Sequence, residues 1–285
     1  MVKFRIITDS SCGVSQEEGK QLGVTVLPLT LHYNGSDYLD DIDISTNDFY
    51  NMLFSNKSKE FPKTSQVPPL VFKKAYEECI ENNEIPIVLT IAGSLSGTLQ
   101  SARIAKDMLE RDDIYIVDSN TALGAVKIMI MKLVSTEYDT IEDVLKEIKH
   151  MVDHVNFYAV PDTLEYLYKG GRLSRTSAIL GNILQLKPVI QLSKIGKLVP
   201  IAKLRGLKHA FKKIADHLKK FPIDNNYPVQ YGYSTKEENM YMLIDYTKEL
   251  VDKDYTKLQI SPVVGAHVGP GACAIFYVSK IIPEK

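Results

Sequence analysis

Three short apolar runs, FRIITDSS, IPIVLTIAGS and IYIVDSNT, each end in hydroxyl or acidic residues and then give way to apolar residues at helical spacing. NFYAVPDT is a fourth of the same kind. This strand, loop, helix rhythm constrains the fold more than any other feature, because strands joined through helices lie parallel in a doubly wound sheet. The intervening segments agree with it. PPLVFKKAYEECIENN puts Leu70, Phe72, Ala75, Tyr76, Cys79 and Ile80 on one helical face, and LQSARIAKDMLERDD repeats the device. In VTVLPLTLHYNGSDYLDD, Asn34-Gly35 stands between two strand-like runs and predicts a hairpin. After about residue 155 the pattern changes: KPVIQLSKIGKLVPIAKL reads as a hairpin, and PVQYGYS and SPVVGAHVGPGACAIFYVSK as further strands. The expectation is an α/β chain of two domains, a doubly wound, mostly parallel sheet over residues 1–155 and a mixed domain with antiparallel strands over 156–285. A length of 285 residues suits two domains of ordinary size.

Composition narrows the function classes. No run of ~18 apolar residues spans a bilayer, and the start, MVKFRIITDSS, leads straight into a strand without the pattern of a secretory leader. These features favour the cytoplasm. Cys12, Cys79 and Cys273 are odd in number and far apart, which suggests neither a disulfide framework nor a zinc site. The net charge is −1, yet residues 169–220 carry thirteen Lys or Arg against one acid, Asp216, so this segment points to an anionic partner or ligand. It shows no helix-turn-helix grammar and no aromatic–basic interleaving, and nucleic acid is not the expected partner. His150 and His154 share a helical face but lack the Glu pattern of a zincin, and the acidic run DYLDDIDIS lacks EF-hand spacing; no metal site is expected. Ser45 with Asp48 reads as a helix start.

The loops after the strands carry the chemistry. In an open parallel sheet, ligands bind beyond the carboxyl ends of the strands, where helix N-termini offer free N–H groups. TIAGSLSGTLQSA fits such a site: Ser94, Ser96 and Thr98 bring hydroxyls, and Gly93 and Gly97 permit close backbone approach. The loop lacks the lysine of a P-loop, and GSLSG puts Leu95 where a hydrolase elbow needs serine. A compact monoanion such as a carboxylate suits it better. KTSQVPP offers a second site in Thr64 and Ser65, and Asp9, Ser10 and Ser11 stand at the end of the first strand. His267, in VVGAHVGPGA, is expected at a strand end, fixed in position and able to donate to a carboxylate.

Taken in order, TDSS, KTSQVPP, SLSGTLQSA, VDSNTALG, YLYKGGRLSRTSAILGNILQLKPV and AHVGPGA resemble the DegV family over essentially the whole chain. The resemblance implies two α/β domains with one long-chain fatty acid between them, and service as the FakB-type, non-catalytic subunit of a bacterial fatty acid kinase. It implies that Thr64, Ser96 and His267 converge on the ligand carboxylate, with Ser65, Ser94, Gly97 and Thr98 in support, and no cofactor beyond the fatty acid. It also implies that the partner is an ATP-dependent kinase, docked on the side of Gly170, Gly171, Arg172 and Arg205. Two departures stand out: Ala92-Gly93-Ser94 replaces the usual Ser-Ser before the Leu-Ser-Gly-Thr motif, and KLRGLKHA keeps Arg205 without the threonine that commonly follows. An alternative from the residues alone is an acyl-processing enzyme with Ser96 or Cys12 as nucleophile and His267 as base.

Overall fold

The computed structural model of the protein describes residues 1–55, 60–173, 186–193, 196–252 and 254–284. The SRTSAILGNILQ stretch of the family-like motif, residues 174–185, lies outside them. β1 (Phe4–Asp9), α1 (Gln16–Leu22) and β2 (Thr25–Leu27) open the chain. β3 (Thr30–Tyr33) and β4 (Ser36–Leu39) form the hairpin, and α2 (Thr46–Ser55), β5 (Lys63–Ser65) and α3 (Pro69–Glu81) follow. Then come β6 (Ile85–Thr90), α4 (Thr98–Leu109), β7 (Tyr115–Asp118), α5 (Gly124–Val134) and α6 (Ile141–His154). The remainder comprises β8 (Val155–Val160), α7 (Glu165–Lys169), β9 (Leu186–Leu192), β10 (Leu198–Arg205), α8 (Leu207–Lys220) and β11 (Val229–Tyr233). It closes with α9 (Glu237–Thr247), β12 (Tyr255–Gln259), α10 (Pro262–Val268) and β13 (Cys273–Val278).

The fold class read from the sequence is the one observed. β2, β1, β6 and β7 lie side by side in an all-parallel sheet, and β10, β9, β8, β13, β11 and β12 make a second sheet. That sheet is mixed: β13 runs antiparallel to both β8 and β11, while β11 and β12 are parallel. Asn34 and Gly35 take positive φ, 52° and 73°, and Tyr33 pairs with Ser36, a two-residue turn whose hand matches the strand twist. β5 joins the hairpin as a third strand alongside β3. Sequence reading leaves KTSQVPP as a loop, because a three-residue strand ended by two prolines carries no alternation to detect.

α3 buries the face its spacing predicts apart from its first turn. Phe72, Ala75, Tyr76 and Cys79 are buried on α3, but Leu70 is 68% exposed in its first turn. The larger departure is PVVGAHV, expected as a strand and observed as α10. Pro262 sits in the first turn, where it lacks only a hydrogen bond that the helix would not make, and Gly269 ends the helix at φ 76°. Local β-propensity of the valines yields to these two stops. α10 packs against the N-terminal part of the chain: a Cβ on Gly265 would come within 2.5 Å of the Tyr50 hydroxyl and 2.9 Å of the Phe49 ring.

Candidate functional site

The parallel sheet changes winding direction between β1 and β6, since β1 leads to β2 on one side and β6 to β7 on the other. Such a switch point opens a crevice at the carboxyl ends of the strands. Asp9 holds its two loops together: Oδ1 accepts from the Ser11 N–H at 3.0 Å and also from the Ser11 hydroxyl, and Oδ2 accepts from the Ile91 N–H at 2.9 Å. Burial nevertheless pushes the Asp9 carboxyl up from the ordinary carboxylate range, only partly offset by these donors. The residue frames the crevice and does not enter it.

The crevice continues into an apolar cavity of about 860 Å³, counted out to its opening, between the parallel sheet, α10 and the second sheet. Its walls include Leu29, Phe157, Ile190, Leu198, Val263 and Phe276. Thr64, Ser96, Arg172 and His267 also line it, and each is partly exposed whereas the six apolar residues are buried. A cavity that is apolar within and carries a few convergent polar groups is the usual form of a small-ligand site.

Thr64 Oγ1 and His267 Nε2 are 2.8 Å apart, joined across 203 positions of sequence. Thr64 is delivered by β5, in register with Leu31 of β3, and His267 by the last turn of α10. The other ring nitrogen, Nδ1, is buried without a hydrogen-bond partner among the described residues. It faces Gly170, where a Cβ would lie only 2.2 Å away. Burial first and the Arg172 charge second push the His267 ring down to about 3, so it is neutral across the physiological range.

Ser96 Oγ and Thr98 Oγ1 are 2.9 Å apart, and Ser96 Oγ accepts from the Thr98 N–H at 3.3 Å, at the start of α4. Gly97 meets the expectation of close approach in an unforeseen way. A Cβ there would be 1.8 Å from Gln66 Oε1, and the Gln66 amide donates to Ser101 Oγ at 2.7 Å. Gln66 thereby straps the segment after β5 to α4. This clamp joins the two hydroxyl loops, and sequence reading missed it because the glycine looked sufficient for a ligand.

Two of the hydroxyls face elsewhere. The Ser94 hydroxyl donates to the Gly196 carbonyl of the β9–β10 turn. Ser65, next to Thr64 on β5, points to the opposite face of its strand, 2.6 Å from His32 Nε2, while His32 Nδ1 is 2.6 Å from Asp37 Oδ1. This serine, histidine and aspartate chain lies on an open sheet face, with the Asp37 side chain 71% exposed and none of the three lining the cavity. It braces β3, β4 and β5. Cys12 is buried and its thiol is pushed up to about 12, chiefly by burial, which suppresses the thiolate a nucleophile needs. Ser96 has no hydrogen bond to His267 of the kind that activates a serine.

Arg205 is exposed at the end of β10, and the basic segment continues as α8, whose Lys208, Lys212, Lys219 and Lys220 are exposed over buried Phe211, Ile214 and Leu218. No group of three or more His, Cys, Asp or Glu able to hold a metal ion occurs among the described residues, and none of the helices there is long and apolar enough to cross a membrane.

Comparison with known proteins places this geometry. The model of the DegV family, an uncharacterised protein family, matches residues 3–280. A DegV domain-containing protein of Caldanaerobacter subterraneus is 32% identical over 284 residues, 98% of this chain and 100% of the relative. Among solved structures, a fatty-acid-binding DegV family protein from Thermus thermophilus superposes with a TM-score of 0.88 at 28% identity, covering 98% of this chain and 100% of that one. DegV from Bacillus subtilis, a fatty acid binding protein, superposes with a TM-score of 0.84 at 26% identity and the same coverage.

Proposed function

Since this chain belongs to the DegV family, we propose that it binds one long-chain fatty acid and presents it to an ATP-dependent kinase for conversion to an acyl phosphate. The carboxylate is held by Thr64, Ser96 and His267, the histidine acting through the Thr64 hydroxyl, and the tail lies in the apolar cavity, between domains divided near residues 155 and 156. The observation that carries this reading is the Thr64–His267 hydrogen bond on the wall of that cavity. Solved DegV proteins of the same fold are fatty-acid-binding.

The division of labour follows from magnitudes. Burying a tail of ~16 carbons at ~0.8 kcal/mol per CH₂ contributes on the order of 10 kcal/mol before the cost of association. The tail supplies affinity and the polar cluster supplies orientation. With its proton on Nε2, neutral His267 donates to Thr64 Oγ1, which leaves the threonine hydroxyl free to donate to the carboxylate. Ser96 adds a second hydroxyl from the α4 loop. In this reading a carboxylate oxygen attacks the γ-phosphorus of ATP carried by a partner, with ADP leaving and magnesium bound by the partner. In this reading Arg205 and the basic face of α8 meet the kinase, together with the turn at Gly170, Gly171 and Arg172.

Native mass spectrometry of freshly purified protein, followed by solvent extraction, tests the binding step. One fatty acid per chain is expected. A ligand-free mass that does not change on adding palmitate or oleate refutes the reading. Incubation of the loaded protein with a fatty acid kinase and ATP, read as acyl phosphate trapped by hydroxylamine, tests presentation separately.

A further inference from the structure

The link to a histidine that Ser96 lacks is present at Ser65, on the face of β5 turned away from the cavity. Ser65 Oγ lies 2.6 Å from His32 Nε2, and His32 Nδ1 lies 2.6 Å from Asp37 Oδ1. The strand register sets this up. Asp37 of β4 is directly opposite His32 of β3, and Ser65 of β5 is opposite Thr30, two residues before His32 and so on the same face. A carboxylate only accepts hydrogen bonds, so in the neutral ring the Asp37 contact places the proton on Nδ1 and leaves Nε2 to accept from the Ser65 hydroxyl. The two ring nitrogens are therefore used in the order that makes histidine a general base toward serine.

The three residues stand on a firm base. β3 is the middle strand of its sheet, and its alternate residues Leu31 and Tyr33 are buried on the opposite face. Above them the face is open: Ser65 and Asp37 are exposed, and none of the three lines the cavity. No wall is present there to grip a long chain. A reactant must be small and bring its own activation. Exposed Lys63 shares the face, two residues before Ser65 and directly opposite His32, and its charge favours a donor that is negative or becomes so as its leaving group departs.

We propose that Ser65, His32 and Asp37 form a second, esterase-like site that takes acyl groups from small activated donors, aryl esters and acyl phosphates. Ser65 Oγ attacks the acyl carbon and its proton passes to His32 Nε2. The bond from the acyl carbon to the leaving oxygen breaks, and the aryloxide or phosphate departs with that proton. Water then attacks the acyl-Ser65 ester; His32 takes a proton from the water and returns one to Ser65 as the carboxylic acid leaves. Asp37 is a positioning residue, holding the ring in the tautomer that leaves Nε2 free. This activity goes beyond the fatty-acid reading and does not depend on it.

The test treats full-length protein with a fluorophosphonate, which transfers its phosphonyl group to a histidine-activated serine as fluoride leaves, and maps the labelled peptide by mass spectrometry. Release of nitrophenolate from p-nitrophenyl acetate is followed in parallel. Wild type is expected to carry the label on Ser65 and to cleave the ester faster than buffer does, and Ser65→Ala to lose both. General-base catalysis typically contributes about 100-fold or more, and on this open face labelling in His32→Gln is expected to slow about tenfold or more, with Asp37→Asn in between. No label on Ser65 in wild type overturns the proposal. So does equal labelling in His32→Gln, or ester cleavage unchanged in Ser65→Ala; either leaves the three residues as a brace alone. Should His32→Gln fail to fold, Asp37→Asn decides, and a labelling rate equal to wild type there overturns it.

Discussion

At the scale of single residues, the site depends on atoms whose removal is small in volume and large in consequence. Thr64→Val keeps the shape of the side chain and deletes the hydroxyl. A hydrogen bond to a charged group is worth about 1.5–3 kcal/mol, so palmitate affinity should fall about 10- to 100-fold in a fluorescence displacement assay, and because His267 Nε2 loses its partner the delipidated variant should also melt a few degrees lower. Gly170→Ala reaches the same site from behind: its Cβ would lie 2.2 Å from His267 Nδ1, so the ring must move off Thr64 and lipid retention should drop as in Thr64→Val. The buried Asp40 behaves differently. Neither of its oxygens finds a hydrogen-bond partner among the described residues, and burial pushes the carboxyl up from 3.8 to about 7, with the nearby Ser10 hydroxyl and Val263 N–H offsetting part of the rise. The folded chain therefore holds this proton more tightly than the unfolded chain, and stability falls as pH rises from about 4 to 7. Asp40→Asn should raise the melting temperature by about 3 °C or more at pH 8, by less at pH 5, and leave it nearly unchanged only at about pH 3.5, below the ordinary carboxylate value. His267 has the opposite sign: its lowered proton affinity makes stability fall as pH drops from 6.5 toward 3.

At the scale of elements, the sequence discloses what repeats and conceals what depends on a neighbour. The hydroxyl-terminated strands, the Asn34-Gly35 turn, the face of α3 and the β9–β10 hairpin are legible because their signals are periodic or are written in turn residues. α10 is not legible, because Val263 and Val264 carry the composition of a strand and only Pro262 and Gly269 argue for a short helix. Thr64, Ser96 and His267 are each recognisable as polar residues in loop-like positions. That they share one cavity is not written in any local spacing, and neither is the place of Arg172 on its wall or the direction in which Ser65 points. The Gln66 clamp is the element-level feature most open to test. Gly97→Ala would put a Cβ 1.8 Å from Gln66 Oε1, displacing the strap two residues after Thr64. Lipid retention should suffer more than global stability, as read by native mass spectrometry beside thermal denaturation.

At the scale of the whole molecule, the proposed ligand would lie against both sheets, whose buried side chains already share one apolar core. Its binding to the native chain alone stabilises by mass action, about 2.7 kcal/mol at a free concentration 100 times Kd, so delipidated protein should melt at a lower temperature and recover on adding palmitate. Hydrogen exchange should show the recovered protection concentrated in β5 and α10, which present Thr64 and His267. The order of strands in the second sheet carries a further consequence. β13, the last strand along the chain, lies in the middle, antiparallel to β8 on one side and β11 on the other. During synthesis that sheet stays split until residues 273–278 have emerged from the ribosome, and His267 arrives only just before them. The nascent chain thus carries Thr64 and Ser96 for most of its translation with no partner for the one and no back wall for the other. A lipid that meets it then has no closed cavity to enter until β13 has joined β8 to β11.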